Sequence, residues 1–182
     1  MRDLSLHILD IAENSVDAGA RRIGIRIVES RRRDRLTLEI VDDGRGMDKA
    51  LRERVRDPFF TTKKERRIGL GLPMLVQAVR AADGTFSLSS RPGRKTKVRA
   101  TFRLSHIDRK PLGDIAQTLA VLIAGHPDID IRYVHKVDGR AYLFDTRNLR
   151  AQLGAVSLAA PHATTLITQD IQDGLTRIRR TS

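Results

Sequence analysis

Three polar residues near the start of the chain, Asp10, Asn14 and Asp17, are spaced by four and then three positions, which places them on one face of a helix, opposite much of its apolar stripe. Asp supplies a charged oxygen and Asn a neutral one, and hard cations such as magnesium take oxygen ligands while keeping several waters. Polar residues on a helix ordinarily face solvent and nothing more, so this face gains meaning only from its company. Asp42-Asp43-Gly44-Arg45-Gly46-Met47 closes an alternating stretch, so Asp42 stands at a strand end. There its carboxylate can accept a hydrogen bond from an exocyclic amine, and the two glycines let backbone approach a flat ring. Ile68-Gly69-Leu70-Gly71-Leu72 sits at a loop-to-helix junction, where glycine permits tight turning and free N–H groups can receive phosphate oxygens. The stretch has neither the Lys-Ser/Thr ending of a P-loop nor the longer glycine fingerprint of dinucleotide-binding folds.

The order of four motifs carries more than any one of them. Glu13-Asn14-Ser15-Val16-Asp17-Ala18-Gly19-Ala20, then Asp42 to Met47, then Asp57-Pro58-Phe59-Phe60-Thr61-Thr62-Lys63, then Gly69-Leu70-Gly71-Leu72, resembles the ATPase superfamily of gyrase, the MutL mismatch-repair proteins and the sensor histidine kinases. The resemblance covers residues 4 to 104. It implies an α/β two-layer sandwich of the Bergerat type, a mixed, mainly antiparallel sheet with helices on one face, and ATP and magnesium as cofactors held between helices and a lid. Carried over residue by residue, it assigns Asn14 to magnesium and through it to the phosphates. Asp42 goes to the adenine amino group, with Gly44 and Gly46 beside the base. Lys63 would reach the terminal phosphates from the lid, Gly69, Leu70 and Gly71 would line them, and Thr96 matches the threonine after the last glycine-containing turn.

The departures from that pattern shape the functional expectation. Where hydrolysing members carry Glu four residues before the magnesium Asn, this chain has Asp10, one methylene shorter, as the candidate base. Asp17 follows the gyrase and MutL pattern, whereas the lid and the Gly-Leu-Gly-Leu stretch look like the kinases. Helix one starts at the N-terminus, so no phosphoacceptor helix is expected before it. Leu4 to Ser15 together with Ser105 to Asp114 look similar to small stand-alone ATP-binding proteins of histidine-kinase type found with bacterial iron-only hydrogenase systems. The resemblance thus implies an ATP-binding regulatory protein acting as ATP hydrolase or protein kinase. Its alternative is a non-catalytic ATP sensor whose C-terminal unit docks a partner.

These residues need a frame to hold them. Leu4 to Ala18 repeats apolar residues at helical spacing and stops at Gly19. Ile23 to Val28 and Leu36 to Val41 alternate as a hairpin, Leu72 to Ala82 reads as a second helix, and Thr85 to Ser90 with Lys97 to Leu104 as another strand pair. The polar passage 105–110 marks an expected boundary, dividing 1–104 from a small α+β unit at 105–182. That unit opens with a helix from Leu112 and contains two strands around Asp138-Gly139, a strong hairpin turn. The 182 residues carry 34 Lys and Arg against 22 Asp and Glu, a net charge of +12, and 24 of the basic residues fall in 1–103. That surface suits phosphates or an acidic protein partner, while an aromatic content of 4% argues against stacked nucleic acid. The absence of Cys excludes disulfides and thiolate metal sites and, with no membrane-length apolar run, points to a cytoplasmic protein. Residues 49–68, rich in charge, are expected to form the lid. Amide exchange there should slow more with a non-hydrolysable ATP analogue than with ADP, and equal exchange under both would remove the lid from the mechanism.

Overall fold

The alternation legible in the sequence becomes one six-stranded sheet in the computed structural model, which describes residues 3–54 and 71–180. In chain order the elements are α1 (Leu4–Asp17), β1 (Arg22–Ser30), β2 (Arg35–Asp42), α2 (Lys49–Arg54), α3 (Gly71–Ala81), β3 (Thr85–Ser89) and β4 (Thr96–Arg103), followed by α4 (Ile115–Gly125), β5 (Asp130–Val137), β6 (Arg140–Asp145), α5 (Thr146–Leu153) and α6 (Pro161–Arg179). The strands lie in the order β3-β4-β2-β1-β5-β6. All neighbours are antiparallel except β1 and β5, which run parallel with Ile25 beside Tyr133. The sheet is therefore mixed and mainly antiparallel, as expected. The segment from Asp57 to Leu70, with its lid motif and first glycine, lies outside the described residues.

Period-two burial separates the two faces. Ile23, Ile25 and Ile27 of β1, Leu36, Leu38 and Ile40 of β2, and Val98, Ala100 and Phe102 of β4 are all buried on the side covered by helices. Leu4, Ile8 and Ile11 of α1 and Leu75 and Val79 of α3 fill that layer, and Leu119, Leu122 and Ile123 of α4 extend it. Removing so many aliphatic side chains from water supplies the main driving force for this layer. The strands expected beyond residue 104 continue the same sheet, because β5 pairs with β1 from Arg22 to Glu29.

Two local details explain where elements begin. The helix expected from Leu112 starts instead at Ile115, because Gly113 takes a left-handed φ of 75° and the Asp114 carboxylate caps Gln117 N–H at 2.9 Å. The same turn serves α1, whose first N–H groups would otherwise lack partners. Leu4 and Ser5 donate to the carbonyls of Pro111 and Leu112, both at 2.9 Å. At Asp138-Gly139 both residues have positive φ, 46° and 92°, as a two-residue hairpin turn of this hand requires. Among the described residues, no helix is long and apolar enough to cross a membrane.

α6 is seated by an aromatic contact. Tyr133 and Tyr142 meet edge to face with centroids 6.3 Å apart, and the Tyr142 hydroxyl donates to Asp170 at 3.0 Å. Gly174 lies flat on the Tyr142 ring, where a Cβ would overlap it. An Ala in the middle of a helix is favoured over Gly by about 1 kcal/mol, but overpacking a filled contact costs roughly 1–3 kcal/mol. Gly174→Ala should therefore lower the urea midpoint, and adding Tyr142→Leu should recover part of the loss. A midpoint raised by Gly174→Ala alone would show that α6 does not rest on this ring.

Candidate functional site

α1 carries the expected polar residues along one side, and each meets a different part of the molecule. Asp10 is half-buried under Gly71, the first residue of α3. A Cβ on Gly71 would lie 2.7 Å from the Asp10 Cβ and 3.2 Å from Oδ2, so only glycine allows the N-terminal end of α3 to come this close. Burial pushes the Asp10 carboxyl above the ordinary aspartate value. One turn earlier, His7 is buried beside the same glycine, and burial lowers its pKa, which favours a neutral ring.

Asn14 does not simply face solvent. The residue is half-buried, and its Nδ2 is enclosed and without a hydrogen-bond partner among the described residues. Asp17, by contrast, is exposed at the last turn of the helix. The polar face of α1 is thus graded from enclosed to open.

Asp42 ends β2 and points into the helix-covered side with 6% of its surface exposed. Its Oδ1 accepts from the Gly44 N–H at 2.9 Å, and its Oδ2 lies 2.9 Å from the Ser15 hydroxyl. Ser15 Oγ is also 3.1 Å from the Ile11 carbonyl, the usual back-bond of a helical serine. A buried carboxylate is the stronger acceptor, so the single hydroxyl proton is drawn toward Asp42. Burial raises the pKa of Asp42, and the Gly44 and Ser15 bonds oppose that shift without cancelling it. Ser15 had no assigned role in the sequence reading. A serine adjacent to Asn14 on the apolar side of α1 was the available signal.

The glycines of the Asp42 turn are required by close approach. A Cβ on Gly44 would sit 3.0 Å from the Ala18 Cβ and 3.1 Å from its carbonyl, where the end of α1 leans on the turn. Gly46 has φ 71°, and a Cβ there would run into the Arg91 carbonyl. Arg45 N–H donates to Ala18 at 2.9 Å and Gly93 N–H donates to Arg45 at 2.7 Å, so α1, the Asp42 turn and the Arg91 to Lys95 turn are tied together. Asp43 serves the frame: its Oδ1 accepts the N–H groups of Arg21 and Arg22, both at 2.8 Å.

Thr96 lies directly opposite Asp42 in the β2–β4 register. It is buried, and its Oγ1 is 2.8 Å from Ser90 Oγ, which in turn accepts from Met47 N–H at 2.8 Å. Ser90 is a second residue that the sequence reading missed. Asp42, Gly44, Gly46 and Thr96 thus form one cluster, Asp10 and Gly71 form another, and α1 with Asn14 runs between them. Lys63, Gly69 and Leu70 lie outside the described residues.

This geometry has recognisable relatives. Over 110 residues the chain is 38% identical to the sensor protein kinase FleS of Pseudomonas aeruginosa, a match covering 60% of this chain and 27% of that protein. Over 87 residues it is 37% identical to the signal transduction histidine-protein kinase AtoS of Escherichia coli, covering 47% and 14%. The chain therefore spans well under a third of either. Among solved structures, the N-terminal domain of a DNA repair protein superposes with a TM-score of 0.55 at 15% identity, covering 85% of this chain and 58% of that one, which shows the shared fold alone. Residues 2–106, which hold every candidate above, match a single family description, and the chain belongs to the histidine kinase-, DNA gyrase B- and HSP90-like ATPases.

Proposed function

We propose that the chain binds ATP with magnesium between α1, the Asp42 turn and the start of α3, and that it uses the nucleotide to regulate a protein partner. The observation that carries this reading is the enclosed, unpartnered Nδ2 of Asn14 between the two clusters, because a buried polar group without a partner marks a position built for something else to meet. Asp42 offers a charged acceptor for an exocyclic amine at a site where Gly44 keeps the backbone free of side chains. The N-terminal end of α3 at Gly71 would present to phosphates its first N–H groups, which have no partners within the helix. Lys63, Gly69, Leu70 and Thr96 complete the proposed nucleotide set.

Among the described residues no three acidic or histidine side chains gather into a metal cage. Magnesium is commonly held by one or two protein oxygens together with substrate phosphates, and Asn14 Oδ1 fits that role. When bound, the ion neutralises phosphate charge. The chain's own contributions are position and proton handling. Asp10, raised in pKa by burial and pressed against the start of α3, is placed to orient a water or a protein hydroxyl and to take its proton. Hydrolysis and protein phosphorylation differ only in which acceptor Asp10 orients. Non-catalytic sensing is the second reading, favoured by the short Asp10 side chain where a longer Glu would reach farther. Incubation with labelled ATP and separation of free phosphate from labelled protein distinguishes the three, and unchanged ATP would leave sensing.

Two substitutions test the nucleotide assignment. Asn14→Ala removes a donor that bonds to nothing in the described structure, so thermal stability should hold while magnesium-dependent ATP binding is lost. Calorimetry showing unaltered magnesium-ATP affinity would end the Asn14 assignment. Asp42→Asn should weaken ATP by about 1–3 kcal/mol, since the amide is a weaker acceptor than a carboxylate. The wild-type affinity should also fall on acidification, starting above the ordinary aspartate range because burial raises this pKa. The sign for stability is opposite: protonation relieves the burial cost, so this group's contribution to folding improves as pH falls through the same window. A wild-type affinity as flat with pH as that of Asp42→Asn, or GTP bound as tightly as ATP, would remove Asp42 from adenine recognition.

A further inference from the structure

The face of the sheet turned away from the helices is a surface of its own. Its side chains line up in rows fixed by strand register. One row reads Arg99, Glu39, Arg26, Val134 and Leu143 across β4, β2, β1, β5 and β6. The next toward Asp42 reads Lys97, Val41, Gly24 and Arg132. On the other side Val28 stands beside Lys136. The helices of the core layer lie on the opposite side, and α5 meets β5 near its Asp130 end, through Arg150 and through Thr146, whose Oγ1 accepts from Ile131 N–H at 2.9 Å.

The charge on this face is one-sided. Its acidic members are already engaged, Glu39 with Lys97 at 2.8 Å, Asp145 with Arg147 at 2.7 Å and Asp130 with Arg150. Arg26, Arg99 and Arg132 are exposed and Lys136 is partly so, and none forms an ion pair among the described residues. Between these cations lies an aliphatic strip of Val28, Val134 and Leu143, the last with 49% of its surface exposed. No aromatic ring projects from this face among the described residues, so it has nothing on which bases could stack. An apolar centre bordered by cations is the anatomy of a protein-binding surface, whereas phosphate backbones would leave the strip uncovered.

We propose that this open sheet face docks an acidic amphipathic helix of a protein partner, its apolar stripe on Val28, Val134 and Leu143 and its carboxylates on Arg26, Arg132 and Lys136. The site lies across the sheet from Asp10 and Asn14 and stands whether or not the nucleotide reading does. Charge complementarity selects the sign of the partner, and the aliphatic strip selects a helix with one apolar side over a plain polyanion.

The probe is a fluorescent synthetic peptide with Leu at helical spacing and Glu elsewhere, titrated by anisotropy against the full chain. A scrambled peptide of the same composition and a short DNA duplex run beside it. The helical peptide should bind more tightly than either. Arg26→Glu with Arg132→Glu should weaken it about tenfold or more, and Leu143→Ser, which removes an exposed side chain, should weaken it by a similar factor. ATP affinity and the circular dichroism spectrum should stay at wild-type values in each variant. Arg26→Gln with Arg132→Gln repeats the test without charge reversal if the first pair folds poorly. Tighter binding of the duplex, equal binding of the scrambled peptide, no binding of the helical peptide, or indifference to the Arg and Leu143 changes would each overturn the proposal.

Discussion

A carboxylate taken out of water at the end of a strand must be met by donors, and the way Asp42 is met organises much of this molecule. One donor is local, the Gly44 N–H two residues on, which bends the chain into its turn. The other comes from a different layer, the Ser15 hydroxyl of α1. Leaving such a group unsatisfied costs more than a typical hydrogen bond contributes, so the requirement is stringent. Meeting it fixes how far α1 lies along the sheet. Once α1 is so placed, Ala18 leans on Gly44, Asp10 falls beneath Gly71, and Asn14 is left between them.

The two faces of the sheet illustrate how one pattern of alternation supports two purposes. Inward positions are mostly aliphatic or aromatic, and the polar exceptions among them, Asp42, Thr96, His135 and Glu29, each have a partner: His135 lies between the Tyr133 hydroxyl at 2.6 Å and Glu29 at 2.7 Å. Outward positions mix arginine, lysine and threonine with a few valines. Period two makes these assignments inseparable, because a slip of one residue would put Arg26 in the core and Ile25 in water.

Much of this frame was legible because periodicity reports burial directly. α1, the two β-hairpins of the first hundred residues and the Asp138-Gly139 hairpin were readable from spacing and turn chemistry alone. The parallel pairing of β5 with β1 was not, since contacts between residues such as Ile25 and Tyr133 leave no trace in local pattern. The start of α4 was misread because Leu112 continues the apolar spacing, while Gly113 and the Asp114 cap, which decide the matter, act through backbone geometry. At the site, Asp42 and its glycines stand out by composition, whereas Ser15 and Ser90 do not. Serine is common, and its part here depends on which hydroxyl ends beside which buried acceptor after the layers meet.

The position of β1 also has consequences for how the chain is made. β1 is an interior strand, with β2 supplied by the next few residues and β5 only from Asp130 onward. During synthesis, or in any fragment ending near residue 106, one whole edge of β1 stays bare, its N–H and C=O groups unpaired beside Ile23, Ile25 and Ile27. Such an edge invites pairing with another chain. The contact that closes it spans more than a hundred positions, a separation of the kind that slows folding. The segment beyond the family match thus acts as the built-in guard of a strand laid down long before it.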